Sequence, residues 1–179
     1  MINNQKLIHF VNPYYTDKDM MHDLSHIKRI LQTSKRIMLR YKEADEELIT
    51  YGCYFHGFIY NHEADIVKFL EENEVKPSKI QKIIKVAWES LKDQTPDTLE
   101  GKIVHDTHLI EGGKTFIIVK CLVTGTARGQ SLEETINFIE SNILDKGKCY
   151  LPEAIPIYQE MQSFAKQFIV DLKDGLELK

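Results

Sequence analysis

Apolar residues between Asp17 and Tyr41 recur at the helical period, with Met20, Leu24, Ile27, Leu31 and Met38 on one stripe and Lys, Arg and Gln between them. The spacing predicts a long amphipathic helix. From Glu43 to Tyr60, Ile49, Cys53, His56 and Tyr60 share a face, while Phe55, Phe58 and Ile59 make the surface apolar nearly all round. Such a segment predicts a buried central helix. Further helices are predicted over Ala64 to Glu72, over Ser78 to Leu91 behind Pro77, and over Thr98 to Glu111, which Gly112 and Gly113 stop. Phe116 to Val123 is rich in β-branched residues, but the chain holds no second run of that kind for it to pair with, so it reads as a buried helix. Ser131 and Glu134 have capping-box spacing and open a helix through Ile143. The last helix, Glu153 to Leu172, aligns Ile157, Met161, Phe164, Phe168 and Leu172. Together these predict an all-α fold, a single compact helical bundle over residues 1–179.

Composition narrows the partners. Lys plus Arg number 23 against 27 Asp plus Glu, a net charge of −4, and neither sign forms a long block, which argues against a nucleic-acid footprint. With 42% hydrophobic and 28% charged residues the chain lies far from the signature of disorder. The longest apolar run, Phe116 to Val123, is interrupted by Lys120 and is too short to span a bilayer, so no membrane association is expected. Cys53, Cys121 and Cys149 are widely spaced and odd in number, and they suit a reducing compartment. The N-terminal stretch lacks the apolar core and small-residue site of a signal peptide. The expectation is a cytoplasmic protein.

The chemistry rests on the histidines. His22 and His26 lie one turn apart on the first predicted helix, His56 lies in the apolar second helix, and His105 and His108 flank Asp106. Imidazole and carboxylate on facing helices are the usual inventory for a metal in a helical bundle. A single buried His is more often a hydrogen-bonded core residue.

Three strings carry a family resemblance. Asp23-Leu24-Ser25-His26-Ile27-Lys28-Arg29-Ile30 resembles the D-x-x-H-x-x-R-V helix of the HD superfamily of metal-dependent phosphohydrolases, and Tyr54-Phe55-His56-Gly57-Phe58-Ile59 resembles its apolar-His-Asp segment. The stretch Thr98 to Leu109, containing His105-Asp106-Thr107-His108, is similar to its later helix, which usually ends Asp-Ala-Asp-x-Leu. The motif-bearing part covers about residues 17–113, with extra helices over about 114–179.

The resemblance implies a bundle of the HD-domain type and makes His26 and His56 metal ligands. It also shows two departures, since Gly57 and His108 stand where the family has Asp. A site reduced in this way points to one divalent ion (Mn, Fe, Ni, Zn or Mg) in place of two. Asp106 and His108 lie about 200° apart on a helix and cannot both face one point. The string match puts His108 in the ligand slot, whereas helical position puts Asp106 on the inner side with Leu99 and Ile110. Weaker candidates are Glu63 as a general acid or base, seven residues after His56, and Arg29, His22 and His62 as residues near a substrate. Trp88 reads as core. Replacing Gly57 by Asp looks inexpensive on helix propensity alone.

The resemblance implies a metal-dependent phosphohydrolase acting on a nucleotide or another small phosphate ester. The alternative is a catalytically inactive nucleotide-binding or regulatory module that keeps the fold.

Overall fold

The computed structural model describes residues 2–177, and among them all regular structure is helical. Contacts divide the chain into two compact units, the first ending at His108 and the second beginning at Leu109.

The first unit contains α1 (Asn4–Val11), a 3-10 turn (Asn12–Tyr14), α2 (Leu24–Met38), α3 (Glu46–Phe55), α4 (Ile59–Glu72), α5 (Pro77–Glu89) and α6 (Leu99–Leu109), whose last residue opens the second unit. Helix α3 lies at its centre, buried from Leu48 through Phe55 and packed on α2 and α5, while α4 packs on α5. Ile49, Tyr51 and Phe55 have no exposed surface, and each contributes about 1.5–3 kcal/mol of apolar burial.

Four local outcomes differ from the periodicity. Residues 17–23 form turns, because Asp19 accepts from the Met21 amide and Asp23 from the Ser25 amide, each at 2.8 Å, and such local bonds compete with a helix. Met20 is consequently exposed, and the inner face of α2 is His26, Ile27, Ile30, Ser34 and Ile37. The apolar segment through Tyr60 breaks after Phe55 and restarts at Ile59. The helix expected from Ala64 is the later part of α4, which kinks at His62 (φ −130°, ψ 27°). Helix α1 has no counterpart in the sequence reading.

Residues 2–18 cover the α3–α4 joint with aromatic rings. Phe10 stacks on Phe69 at 4.0 Å and Tyr14 on Phe58 at 4.1 Å. The Ile2 amide donates to the Tyr51 hydroxyl at 2.9 Å, and the Tyr15 hydroxyl donates to the Tyr54 carbonyl at 2.8 Å.

The second unit contains α7 (Gly113–Ala127), α8 (Leu132–Asn142) and α9 (Ala154–Gly175), with α7 packed on both others. Its core gathers Ile136, Ile139 and Ile169, flanked by Cys121, Leu144 and Phe168. Phe116 to Val123 is helical, inside α7, and Ser131 with Glu134 forms the capping box. No described helix is long and apolar enough to cross a membrane.

Candidate functional site

His26 lies in the first turn of α2. Its helix is started by Asp23, whose side chain caps the Ser25 amide. Burial opposes ionisation of Asp23, but hydrogen bonds from Ser25 and His26 and the Arg29 guanidinium together hold its carboxyl below the usual range. His56 caps the C-terminus of α3 at the break before α4. His108 is carried by the last turn of α6.

The start of α6 is set by Glu89 at the end of α5. Its buried carboxylate accepts from the Asp97 amide at 3.1 Å, from the Thr98 amide at 3.3 Å and from the Thr98 hydroxyl. Gly101 lies flush against it, so that a Cβ there would stand 1.9 Å from a Glu89 oxygen.

These helices bring His26, His56 and His108 together, with one ring nitrogen of each lying within 4.8 Å of the others. Ring centroids are 5.9 Å apart for His26 and His56, 5.6 Å for His26 and His108, and 4.2 Å for His56 and His108. His26 and His56 are buried, and His108 is half-buried. The tautomer of His56 follows from its partner. The Ser90 hydroxyl donates its single proton to the Ala87 carbonyl at 2.5 Å, so at 2.8 Å it accepts from His56 Nδ1. The proton therefore sits on Nδ1, and Nε2 is the acceptor nitrogen of the ring.

The donor set fits a divalent ion. Three imidazoles with an open fourth position are a known arrangement of catalytic zinc, and imidazole also suits iron and nickel. Metal–nitrogen bonds of about 2.0–2.1 Å place tetrahedral ligand atoms about 3.3 Å apart, so small ring rotations close the group.

The cluster opens into a cleft of about 450 Å³, within the range of small-molecule sites. His22 lines it, its Nδ1 held by Asp19 at 2.8 Å and its ring 5.8 Å from that of His26. Lys18 lines it as well. The Lys18 ammonium donates to the Gly57 carbonyl at 2.5 Å and lies 4.8 Å above the Tyr15 ring. Burial lowers its pKa from the ordinary lysine value, with Asp19 acting the other way. Tyr60, Trp88 and Leu91 add apolar lining, and Lys92, Asp93 and Gln94 complete it.

Several expected residues lie elsewhere. Asp106 is fully buried outside the imidazole cluster, 3.0 Å from His105 Nδ1. His105 is buried too. Glu63 accepts from the Trp88 indole at 2.6 Å and does not line the cleft. The seven-residue arithmetic that related it to His56 fails because the helix breaks between them. His62 pairs with Asp65 at 2.9 Å, and Arg29 donates to Ser25 at 2.8 Å; neither lines the cleft. Trp88, expected in the core, is half-buried at the cleft wall. Lys18 and residues 91–94 were not singled out from the sequence: Lys18 reads there as a polar position of the predicted Asp17–Tyr41 helix and Leu91 as the end of the Ser78–Leu91 helix, whereas the structure puts them in turns.

The chain is thus an all-α protein with a three-histidine cluster at the base of a cleft. No protein-family model matches it, and no curated protein matches it. Solved structures do. The Lin1889 protein of Listeria innocua matches over 99% of each chain at 23% identity, with a TM-score of 0.69. YpgQ of Bacillus subtilis, solved in complex with ADP, matches over 97% of each chain at 17% identity and a TM-score of 0.74. A Lactobacillus plantarum protein matches over 100% of each chain at 14% identity and 0.76. At these identities the likeness is one of fold.

Proposed function

We propose that this chain is a metal-dependent phosphohydrolase of the HD type, with a reduced site of three imidazoles, acting on a nucleotide or other small phosphate ester. The observation that carries the reading is the convergence of His26, His56 and His108 from α2, α3 and α6. The ADP bound by YpgQ, a protein of the same fold, supports a nucleotide as ligand. The apolar lining supplied by Tyr60, Trp88 and Leu91 suits a planar base.

His26, His56 and His108 would hold a divalent ion, with Ser90 fixing the tautomer of His56. Such an ion, when bound, supplies Lewis acidity toward a phosphoryl oxygen and toward water. His26 and His56 are buried and His108 is half-buried where the cluster lines the cleft. His22, its Nδ1 held by Asp19, lines the cleft and would serve there as a proton acceptor or, when charged, a donor.

The Lys18 ammonium beside Gly57, in the region where a carboxylate would strengthen metal binding, favours a second reading: nucleotide binding without turnover. Elemental analysis separates the two. The first reading expects close to one metal ion per chain, reduced in His26→Ala, His56→Ala and His108→Ala but unchanged in His9→Ala, which alters an exposed residue of α1. It also expects slow, Mn²⁺-stimulated and chelator-sensitive hydrolysis on a nucleotide panel. Equal metal content in all four variants, or chelator-resistant turnover, would remove it.

A further inference from the structure

The cleft next to the imidazoles holds a positive charge set in place by the fold. Lys18 reaches it from the turn after the 3-10 helix, and its half-buried ammonium is fixed by two neutral partners, the Gly57 carbonyl and the face of the Tyr15 ring. The fixation depends on position 57 being glycine, because a Cβ there would stand 3.0 Å from Lys18 Nζ and closer still to Tyr15. Among the described residues no carboxylate lies within ion-pair distance of this ammonium. One of its three N–H donors is used by the carbonyl, and the others remain for a ligand.

The rest of the wall adds further polar groups. Lys92 is a second cation of the lining and His22 an imidazole held by Asp19, whose carboxylate also acts on the Lys18 charge, while Asp93 of the lining is exposed. A half-buried ammonium with spare donors is a strong partner for an anionic oxygen, since a charge-assisted hydrogen bond is roughly twice as strong as a neutral one.

We infer that Lys18 is a ligand-binding residue that holds a phosphate oxygen, so that the phosphorylated end of the ligand lies at the Gly57 side of the cleft. This rests on the cleft being the ligand site of the proposed function, but not on any metal or turnover. It assigns a phosphate-reading role to a residue outside the histidine strings.

Calorimetric titration of the full chain with ADP, inorganic phosphate and adenosine, in chelator, tests the inference. The parent is expected to bind ADP more tightly than adenosine, and Lys18→Met to weaken ADP at least tenfold while leaving adenosine within twofold. Lys18→Gln, which keeps a donor toward the Gly57 carbonyl, serves if the Met variant does not fold and is expected to show the same selective loss. Binding of inorganic phosphate alone, lost in the same variants, would mark a phosphate site without base recognition and still support the role of Lys18. Unchanged ADP affinity in a folded variant, equal loss for ADP and adenosine, or a parent that binds neither ADP nor phosphate would overturn it. Metal content of the same preparations, unaltered by Lys18→Met, keeps this result separate from that of the metal reading.

Discussion

The phenol of Tyr15 fills the space that a side chain on Gly57 would need: a Cβ there would lie 2.6 Å from a Tyr15 ring carbon and 2.7 Å from its hydroxyl. Tyr15 is itself anchored, donating to the Tyr54 carbonyl and accepting from the Gly57 amide at 3.1 Å, so it cannot swing away without breaking both bonds. The sequence-based expectation that Gly57→Asp is inexpensive therefore fails on packing, because helix propensity does not register a ring from forty residues upstream. Gly57→Ala and Gly57→Asp should each lower stability by about 1–3 kcal/mol in chemical denaturation. A Gly57→Ala protein that unfolds with the parent would mean that Tyr15 yields freely.

Ser90 acts on the cluster through His56. With the Ser90 hydroxyl removed, His56 Nδ1–H loses its acceptor and the ring its fixed orientation. Ser90→Ala should weaken metal binding about 10–100-fold in a chelator competition, the usual cost of losing a hydrogen-bond partner behind a metal-binding histidine. Helical content should stay at the parent level.

Glu89 ties α5 to the first turn of α6, and so to the helix that carries His108. Glu89→Ala leaves the amides of Asp97 and Thr98 without this acceptor and should destabilise the protein by about 1–3 kcal/mol in urea. Gly101→Ala drives a methyl group into the same carboxylate, and its thermal midpoint should also fall. If both variants melt with the parent, this contact does not position α6.

Cys53 gives a pH dependence. The thiol is fully buried, and burial pushes its pKa from 9.0 up to about 12, with Ser34 acting the other way. A folded-state pKa above the unfolded one means that its contribution is complete below about pH 9 and is lost as pH rises toward 12, at up to about 1.4 kcal/mol per pH unit. Cys53→Ala should flatten the fall in stability between pH 9 and pH 11, whatever its effect at neutral pH. Identical slopes for parent and variant would assign the alkaline loss to other groups, such as the buried Tyr15, whose pKa burial also raises.

The helices were legible wherever an apolar stripe met a clear start or stop, as with Ser131 and Glu134 at α8 or Pro77 at α5. Their interruptions were not. Phe55, Phe58 and Ile59 are apolar on either side of the break at His56, and periodicity has nothing to lose phase against in such a run. Helix α1 was missed because its eight residues bury only Leu7 and Val11, although Asn3, capping the Gln5 amide, is a start signal. In the site, the string match brought His26, His56 and His108 to one point, whereas helical position favoured Asp106. Asp106 is fully buried, as helical position implied, but lies outside the imidazole cluster, whereas His108 lines the cleft. What the sequence could not weigh was that α6 has two inner faces, one toward the core and one toward the site. Lys18 was invisible for a related reason: its partner is a backbone carbonyl, which no residue pattern encodes.

The clasp of residues 2–18 on the α3–α4 joint also sets an order of events in the growing chain. Tyr15 and Lys18 find their partners 39–42 residues further on, at Tyr54 and Gly57, and Ile2 waits 49 residues for Tyr51. At about 5–20 residues per second of synthesis, the phenol and the ammonium spend about 2–8 s before their seat emerges. Phe10, Tyr14 and Tyr15 are unpaired aromatic surface for that interval. His108 emerges later again, so the ammonium wall of the cleft can be in place while the imidazole cluster is still incomplete. A nascent chain stalled between residues 57 and 88 would carry Lys18 and its Gly57 seat before Trp88, Lys92 and His108 exist.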